Sequence, residues 1–95
     1  MTSPTPGTIY WHQGQGEPKP HLRLVLTRPD TLGFVVVATI TDSAKKPRFP
    51  VLLKHNHHAA IYKDSTVMFE AVALLPGAVV AAAWKAQSKP LRALG

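Results

Sequence analysis

The sequence contains no cysteine, so disulfide bonds, thiolate nucleophiles and cysteine-ligated metal sites are excluded. No segment approaches the roughly 18 consecutive apolar residues of a membrane-spanning helix. The first residues, MTSPTPG, also lack the basic and then apolar order of a secretory signal. These absences together predict a soluble, cytoplasmic protein with no membrane partner.

Acidic residues are scarce, with five Asp and Glu against eleven Lys and Arg and a formal net charge of +6. Such an excess favours attraction to a polyanion or to an acidic protein, although charge alone says nothing about the fold. Of these two partner classes, we expect a nucleic acid in preference to an acidic protein.

The chain has only 95 residues, of which 45% are hydrophobic. A domain of this size leaves much of its surface exposed. We therefore expect one domain over residues 1–95, with a small core that a second copy of the chain completes in a homodimer. Residues 1–6 are expected to order poorly, because they combine two prolines with hydroxyl residues.

The most strongly apolar segment is FVVVATITDS, residues 34–43. Its β-branched residues predict a strand that is buried on both faces and has a polar end at the rim of a sheet. The same criteria predict further strands over residues 8–12, 21–27, 49–53 and 65–76, with a bulge near Ala71 in the last. Ala78–Lys89 is the helix candidate, because it is rich in alanine and lies between Gly77 and Pro90.

Four or five short antiparallel strands followed by one helix predict a mainly β fold. The two architectures that fit are a two-layer sheet-and-helix domain and a small, partly open antiparallel β-barrel over residues 7–76 with a C-terminal helix over 78–89. We expect the barrel.

The order of the segments, taken with the loop lengths between them, also carries a resemblance to a known family. The segments are Gly7-Thr8-Ile9-Tyr10-Trp11, a Gly/Pro loop, Lys19-Pro20-His21, Leu24-Val25-Leu26-Thr27, Val35 to Thr41, and Lys63-Asp64-Ser65-Thr66-Val67. Together they resemble the PemK/MazF family of endoribonuclease toxins of toxin–antitoxin systems, which have a barrel of the Src-homology-three type. The resemblance implies cleavage of single-stranded RNA without a metal, a homodimer and control by an antitoxin protein.

The resemblance aligns Thr41 with the hydroxyl residue that closes the family's central strand. It aligns His21 with the arginine that lies just before the family's second strand. Arg23 lies two residues further along the same strand face and can supply the missing cation. The Gln and the Arg of the family's last strand fall on Ala71 and Ala73.

Attack by the 2′-hydroxyl on the neighbouring phosphate needs a base, an acid and groups that stabilise charge. We expect His21 to act as base or acid, Arg23 to stabilise charge and Thr41 to donate a hydrogen bond to the phosphate. The alternative is that His21 is a solvated residue at a strand end and that Arg23 lies on the outer face of the sheet, neither with a catalytic role.

Cations and aromatic rings also suggest a surface for RNA. The residues concerned are Lys19, Lys45, Lys46, Arg48 and Trp11. Cations near a strand end can neutralise phosphates, and an indole can stack on a base. The cluster in residues 45–48 fits a plain solvated loop equally well.

The segment His55-Asn56-His57-His58 is a candidate metal-binding segment, since neutral imidazoles bind zinc and nickel. A metal site needs ligands from several elements and a supporting shell, and few carboxylates lie nearby. We therefore predict a loop with no metal site and expect no cofactor.

Two functions from different classes follow. The first is a metal-independent endoribonuclease toxin. The second is a barrel of the same descent that binds nucleic acid or an acidic protein without cleavage, which Ala71 and Ala73 in place of Gln and Arg favour.

Overall fold

The computed structural model describes residues 4–42, 44, 53, 58, 60–61, 63–87 and 90–94. Four of the predicted strands and the helix occur within a few residues of their predicted bounds. They are β1 (Ile9–His12), β2 (His21–Val25), β3 (Phe34–Asp42), β4 (Ser65–Pro76) and α1 (Gly77–Ala86). Of the strand predicted over residues 49–53, only Leu53 lies within the described residues.

The strands form one antiparallel sheet in the order β1-β2-β3-β4. Leu53 adds a fifth strand position on the outer edge of β4, where an isolated bridge joins it to Ser65 through hydrogen bonds of 3.0 and 2.8 Å. The fold is therefore mainly β with one C-terminal helix, as predicted.

Closure of the sheet into a barrel, which we expected, is not observed. In the described part of the chain, β1 and β4 lie at opposite ends of the strand order and do not pair. The chain turns from β4 directly into α1 at Gly77, and among residues 77–87 and 90–94 no strand follows that could close the sheet. On the outer edge of β1, the backbone N–H of Trp11 donates instead to Oε1 of Gln87, just after α1, at 2.9 Å.

Strand β3 is buried on both faces, as its composition predicts, because successive side chains point to opposite sides of a sheet. Val35 and Val37 belong to a cluster with Val80 of α1, and we call this side the helix face. Ala38 and Ile40 belong to the opposite side, which we call the loop face. The loop face is covered by residues outside the four strands, namely Leu53, Ala60, Ile61, Leu91 and Leu94.

The predicted bulge in β4 is confirmed. Ala38 pairs with Val72, but its neighbour Thr39 pairs with Met68, so residues 69–71 have no counterpart in β3. Inserted residues bend a strand and increase its local twist. The bulge therefore separates the end of β3 at residues 39–42 from its more apolar beginning.

The turn between β2 and β3 is fixed by Asp30 and Gly33. The Asp30 carboxylate accepts hydrogen bonds from the backbone N–H groups of Leu32 and Phe34, each at 2.9 Å. Gly33 has a φ of +84°, a backbone conformation that glycine adopts without steric cost.

Described residues near both ends of the chain pack against the rest of the fold. Residues 1–3 of the segment expected to be poorly ordered lie outside the described residues, whereas Pro4 is fully buried. Near the other terminus, the N–H of Leu94 donates to the carbonyl of Gly7 at 2.8 Å. Among the described residues, the search for a helix long and apolar enough to cross a membrane finds none.

Candidate functional site

Polar side chains occupy the part of the helix face that lies beyond the apolar cluster of α1. Arg23 pairs with Tyr10 on one side and with Thr39 on the other, while Thr41 pairs with Thr66. Residues two apart in a strand share a face, so His21 lies on the same side as Arg23, and Thr41 on the same side as Thr39. We call this region the polar end of the helix face: His21, Arg23, Thr39, Thr41 and Thr66.

A tight turn in the loop between β1 and β2 brings Glu17 to this region. The N–H of Glu17 donates to the carbonyl of Gly14 at 3.0 Å, and the N–H of Gly14 donates back to Glu17 Oε1 at 3.2 Å. The amide of Gln13 adds a hydrogen bond to the carbonyl of Glu17 at 2.8 Å. Gly16 has a φ of +83°, which favours glycine at this position. The turn is thus built from local hydrogen bonds that position the Glu17 carboxylate.

The Glu17 carboxylate contacts both side chains that the sequence singles out on β2. Its Oε2 lies 3.1 Å from His21 Nε2, and its Oε1 lies 3.3 Å from Arg23 Nη2. The His21 side chain is 36% exposed and that of Arg23 only 19%. The site therefore combines an imidazole that solvent can reach with a more buried guanidinium, joined by one carboxylate.

Two polar atoms of the polar end are buried without a hydrogen-bond partner among the described residues. They are Nε of Arg23 and Oγ1 of Thr66. Unsatisfied buried donors and acceptors are uncommon, because each costs about 1–3 kcal/mol. Both atoms are shielded from solvent, so a bound anion can interact with Arg23 only through the exposed 19% of its side chain.

Tyr10 lies beside this cluster and is 2% exposed. Burial raises the pKa of its phenol, and the nearby charge of Arg23 acts in the opposite direction. The neighbourhood of Arg23 is thus partly apolar, which strengthens its electrostatic interactions relative to those in water.

A cleft of about 160 Å³ opens at the end of the sheet where β2 begins and β3 ends. Four predicted site residues line it: Trp11, Lys19, His21 and Thr41. Arg23 is not part of its lining and joins the site through Glu17. Lys45, Lys46 and Arg48 lie outside the described residues.

His58 has a structural environment. It is 4% exposed, its Nδ1 accepts a hydrogen bond from the N–H of Ala60 at 3.0 Å, and its Nε2 lies 2.9 Å from the carbonyl of Arg92. Since Nδ1 accepts, Nε2 carries the proton and donates to Arg92. His58 thus ties its loop to the C-terminal segment. Across the described residues, no three His, Asp or Glu side chains group as metal ligands do.

Glu17 is the residue of this site that the sequence reasoning missed. The available signal is its spacing, since it precedes His21 by four residues in a Gly- and Pro-rich loop that leads into a strand. Such spacing alone does not show that the loop turns back onto the strand.

We compared the chain with protein-family models, with curated proteins and with solved structures, and none matches.

Proposed function

We propose that this protein is a metal-independent endoribonuclease that cleaves single-stranded RNA through attack of the 2′-hydroxyl on the adjacent phosphate. The observation that carries the proposal is the Glu17 carboxylate in contact with both His21 and Arg23. An oriented imidazole beside a partly buried guanidinium supplies proton transfer and charge stabilisation within one small region.

His21 is the proton-transfer group in this mechanism. Its Nε2 faces Glu17, so Nδ1 is the ring nitrogen that can accept a proton from the 2′-oxygen. Glu17 fixes the ring orientation and stabilises the imidazolium that forms, as a carboxylate does beside a catalytic histidine. The 2′-oxygen then bonds to phosphorus, and the bond to the 5′-oxygen breaks. The leaving 5′-oxygen takes a proton from water, which gives a 2′,3′-cyclic phosphate and a 5′-hydroxyl, and the imidazolium returns its proton to solvent.

Glu17 and His21 do not act as a separate base and acid in one step. In an in-line displacement the attacking and leaving oxygens lie on opposite sides of phosphorus. The Glu17 carboxylate and the His21 imidazole are in contact at 3.1 Å, so they cannot lie on opposite sides of phosphorus, one at the attacking 2′-oxygen and the other at the leaving 5′-oxygen. Glu17 is therefore a positioning residue.

Arg23 and Thr41 stabilise the charge that develops on the phosphate. One nitrogen of Arg23 contacts Glu17, and the side chain remains 19% exposed, so its positive charge can act on a phosphate at the site. Thr41 lies on the strand next to His21, is only partly buried and borders the cleft. Its hydroxyl supplies a hydrogen-bond donor.

The decisive comparison is between a long single-stranded RNA and the same sequence with 2′-deoxy sugars, both in the presence of a chelator. The proposal requires that only the RNA is cut. His21→Ala should lower the rate of cleavage by about 10²–10⁴-fold, whereas His12→Ala, a substitution of an exposed histidine on β1, is the matched control. Cleavage of the deoxy strand, or full activity of His21→Ala, would refute the proposal.

A binding protein without nuclease activity is the second candidate. It is favoured by Ala71 and Ala73, which replace the Gln and Arg of the family that the sequence resembles. The ligand would then be a nucleic acid or an acidic protein, drawn by the formal charge of +6. Salt-dependent RNA binding with no cleavage in any buffer is the result that this candidate predicts.

An antitoxin and a second copy of the chain are the proteins that we propose as partners. Large apolar side chains remain exposed on β4 and α1, namely Phe69, Val72, Leu74 and Val79. Apolar surface of this kind is typical of protein interfaces.

A further inference from the structure

The cleft at the end of the sheet has apolar walls and a charged rim. Leu22 and Ile40 of the strands and Ile61 of the following segment line it, and all three are buried. Lys19 and Lys63 also line the cleft. A cavity that combines apolar walls with a few charged groups at its opening is the usual form of a small-ligand site.

The size of the cleft fits one aromatic ring system. Its volume is about 160 Å³, and a closed apolar cavity of roughly 150 Å³ accepts benzene. One wall is the indole of Trp11, which remains 38% exposed although it lies in a strand. A flat heterocycle in the cleft can stack on this indole, an interaction worth about 1–3 kcal/mol per base in single-strand binding proteins.

The rim of the cleft offers polar groups for the edge of such a ring. Asp42 and Lys63 both line the cleft and form an ion pair, with 3.5 Å between Oδ2 of Asp42 and Nζ of Lys63. The other oxygen of Asp42, Oδ1, accepts from the N–H of Ala44 at 3.0 Å. Ser65, whose hydroxyl donates to the carbonyl of Lys63 at 2.8 Å, also lines the cleft. A carboxylate oxygen can accept more than one hydrogen bond and an ammonium has three donors, so both groups can contact the edge of a base while they keep their partners within the protein.

The cleft lies on the loop face and meets the candidate catalytic cluster only at the end of the sheet. Leu22, Ile40 and Ile61, which line it, belong to the loop face, whereas His21 and Thr41 belong to the helix face and line the cleft where the sheet ends. An RNA strand with one base bound in the cleft would therefore reach His21 by passing around the end of the sheet.

We propose that the cleft binds one unpaired nucleobase of the RNA, stacked on Trp11, next to the phosphate that is cleaved. This inference rests on the proposed function, and it names the part of the substrate that the enzyme reads. Only an unpaired base can present both its flat face and its edge to a protein cleft. Binding of a base in the cleft would therefore also explain a requirement for single-stranded RNA.

The test measures binding apart from cleavage. The ligands are short mixed-sequence oligonucleotides with 2′-deoxy sugars, which lack the attacking hydroxyl, and strands of equal length and charge whose sugars carry no base. The reporter is Trp11 fluorescence in a Trp84→Phe background, because the chain has two tryptophans. Folding of each variant is checked by circular dichroism, and the shifts of the Ile40 and Ile61 methyl groups in NMR spectra give a second readout.

The base-containing strands should quench Trp11 and shift both methyl signals, and the abasic strands should do neither at the same salt concentration. Ala60→Phe, which fills the cleft with a ring of the protein, should remove both effects. Trp11→Leu should weaken binding by about 5- to 150-fold, which corresponds to the loss of one stacked base.

Equal responses to the two kinds of strand, or a folded Ala60→Phe protein that binds as before, would overturn the inference. These outcomes are distinct from failure of the proposed function. A protein that cuts RNA without a base-dependent signal retains the nuclease and loses the base site. A protein with the base-dependent signal and no cleavage retains the base site and favours the binding protein.

Discussion

Glu17 Oε2 lies 3.1 Å from His21 Nε2, although the sequence alone gives these two residues no reason to meet. The contact exists because the turn at Gly14 folds the loop back onto the first residue of β2. The same carboxylate reaches Arg23, so one acidic side chain organises both groups to which we assign catalytic roles.

His21→Ala should lower the rate of RNA cleavage by about 10²–10⁴-fold, the usual contribution of a positioned acid or base. Glu17→Gln should lower it less, by about 10- to 100-fold, because it removes only the group that orients the imidazole. The measurement is the initial rate under saturating RNA. In a variant that lacks His21, further loss of Glu17 should have little effect, and additive losses would show that the two residues act independently.

Arg23→Lys and Thr41→Val test the phosphate contacts. Each should lower the rate by roughly 100-fold, which is typical of losing one donor to a developing charge. Lys retains the positive charge but not the planar fork, so a loss in Arg23→Lys shows that geometry matters as well as charge. Thr31→Val, in the turn before β3, is the control for the hydroxyl. Unchanged rates in both site variants would remove these residues from the mechanism.

The burial of Tyr10 predicts that the free energy of unfolding falls at alkaline pH. Burial raises the pKa of the Tyr10 phenol above its ordinary value of 10.0, so the folded state disfavours the phenolate. The contribution of the protonated side chain is complete below pH 10 and falls as the pH rises through the pKa of the folded state. Tyr10→Phe should therefore lose less stability than the wild type above about pH 10, as measured by urea unfolding. Parallel losses in the two proteins would contradict the assignment.

His58→Ala should lower the free energy of unfolding by about 1–3 kcal/mol, because it removes a buried side chain that bonds to the N–H of Ala60 and to the carbonyl of Arg92. His12→Ala, at an exposed position, should change it by less than about 0.5 kcal/mol. Chemical denaturation of the three proteins gives the comparison. Equal stability of both variants would show that the His58 hydrogen bonds contribute nothing.

The exposed apolar residues of β4 and α1 predict a homodimer. Light scattering at high micromolar concentration should give twice the mass of the chain. Leu74→Glu together with Val79→Glu should return the mass to that of one chain, because charge at an apolar interface is costly to bury. Leu32→Glu, at another exposed apolar residue, is the control. A monomer mass for the wild type would refute the homodimer.

The strands could be predicted because their signals are local. The alternation in residues 21–25 and the valine-rich run of β3 set the faces of the sheet, and the length of the last apolar segment suggested its bulge. The open sheet could not be foreseen in this way. Closure depends on where the chain goes after Pro76, and α1 packs beside β1 through contacts that lie far apart in sequence.

The candidate site was predictable in part for the same reason. His21 and Arg23 share a face because strand geometry requires it. The position of Glu17 depends on the path of a loop. The lack of a hydrogen-bond partner for Arg23 Nε among the described residues depends on which groups surround it in space. Neither property is encoded in a spacing that can be read along the chain.

The chemical identity of the ends produced from a long single-stranded RNA in the presence of a chelator tests the central claim most directly. Mass spectrometry of the fragments should find a 2′,3′-cyclic phosphate on one side of each cut and a 5′-hydroxyl on the other, and His21→Ala should form both ends about 10²–10⁴-fold more slowly. Fragments with 5′-phosphate and 3′-hydroxyl ends, or cleavage that stops when the chelator is added, would contradict the account.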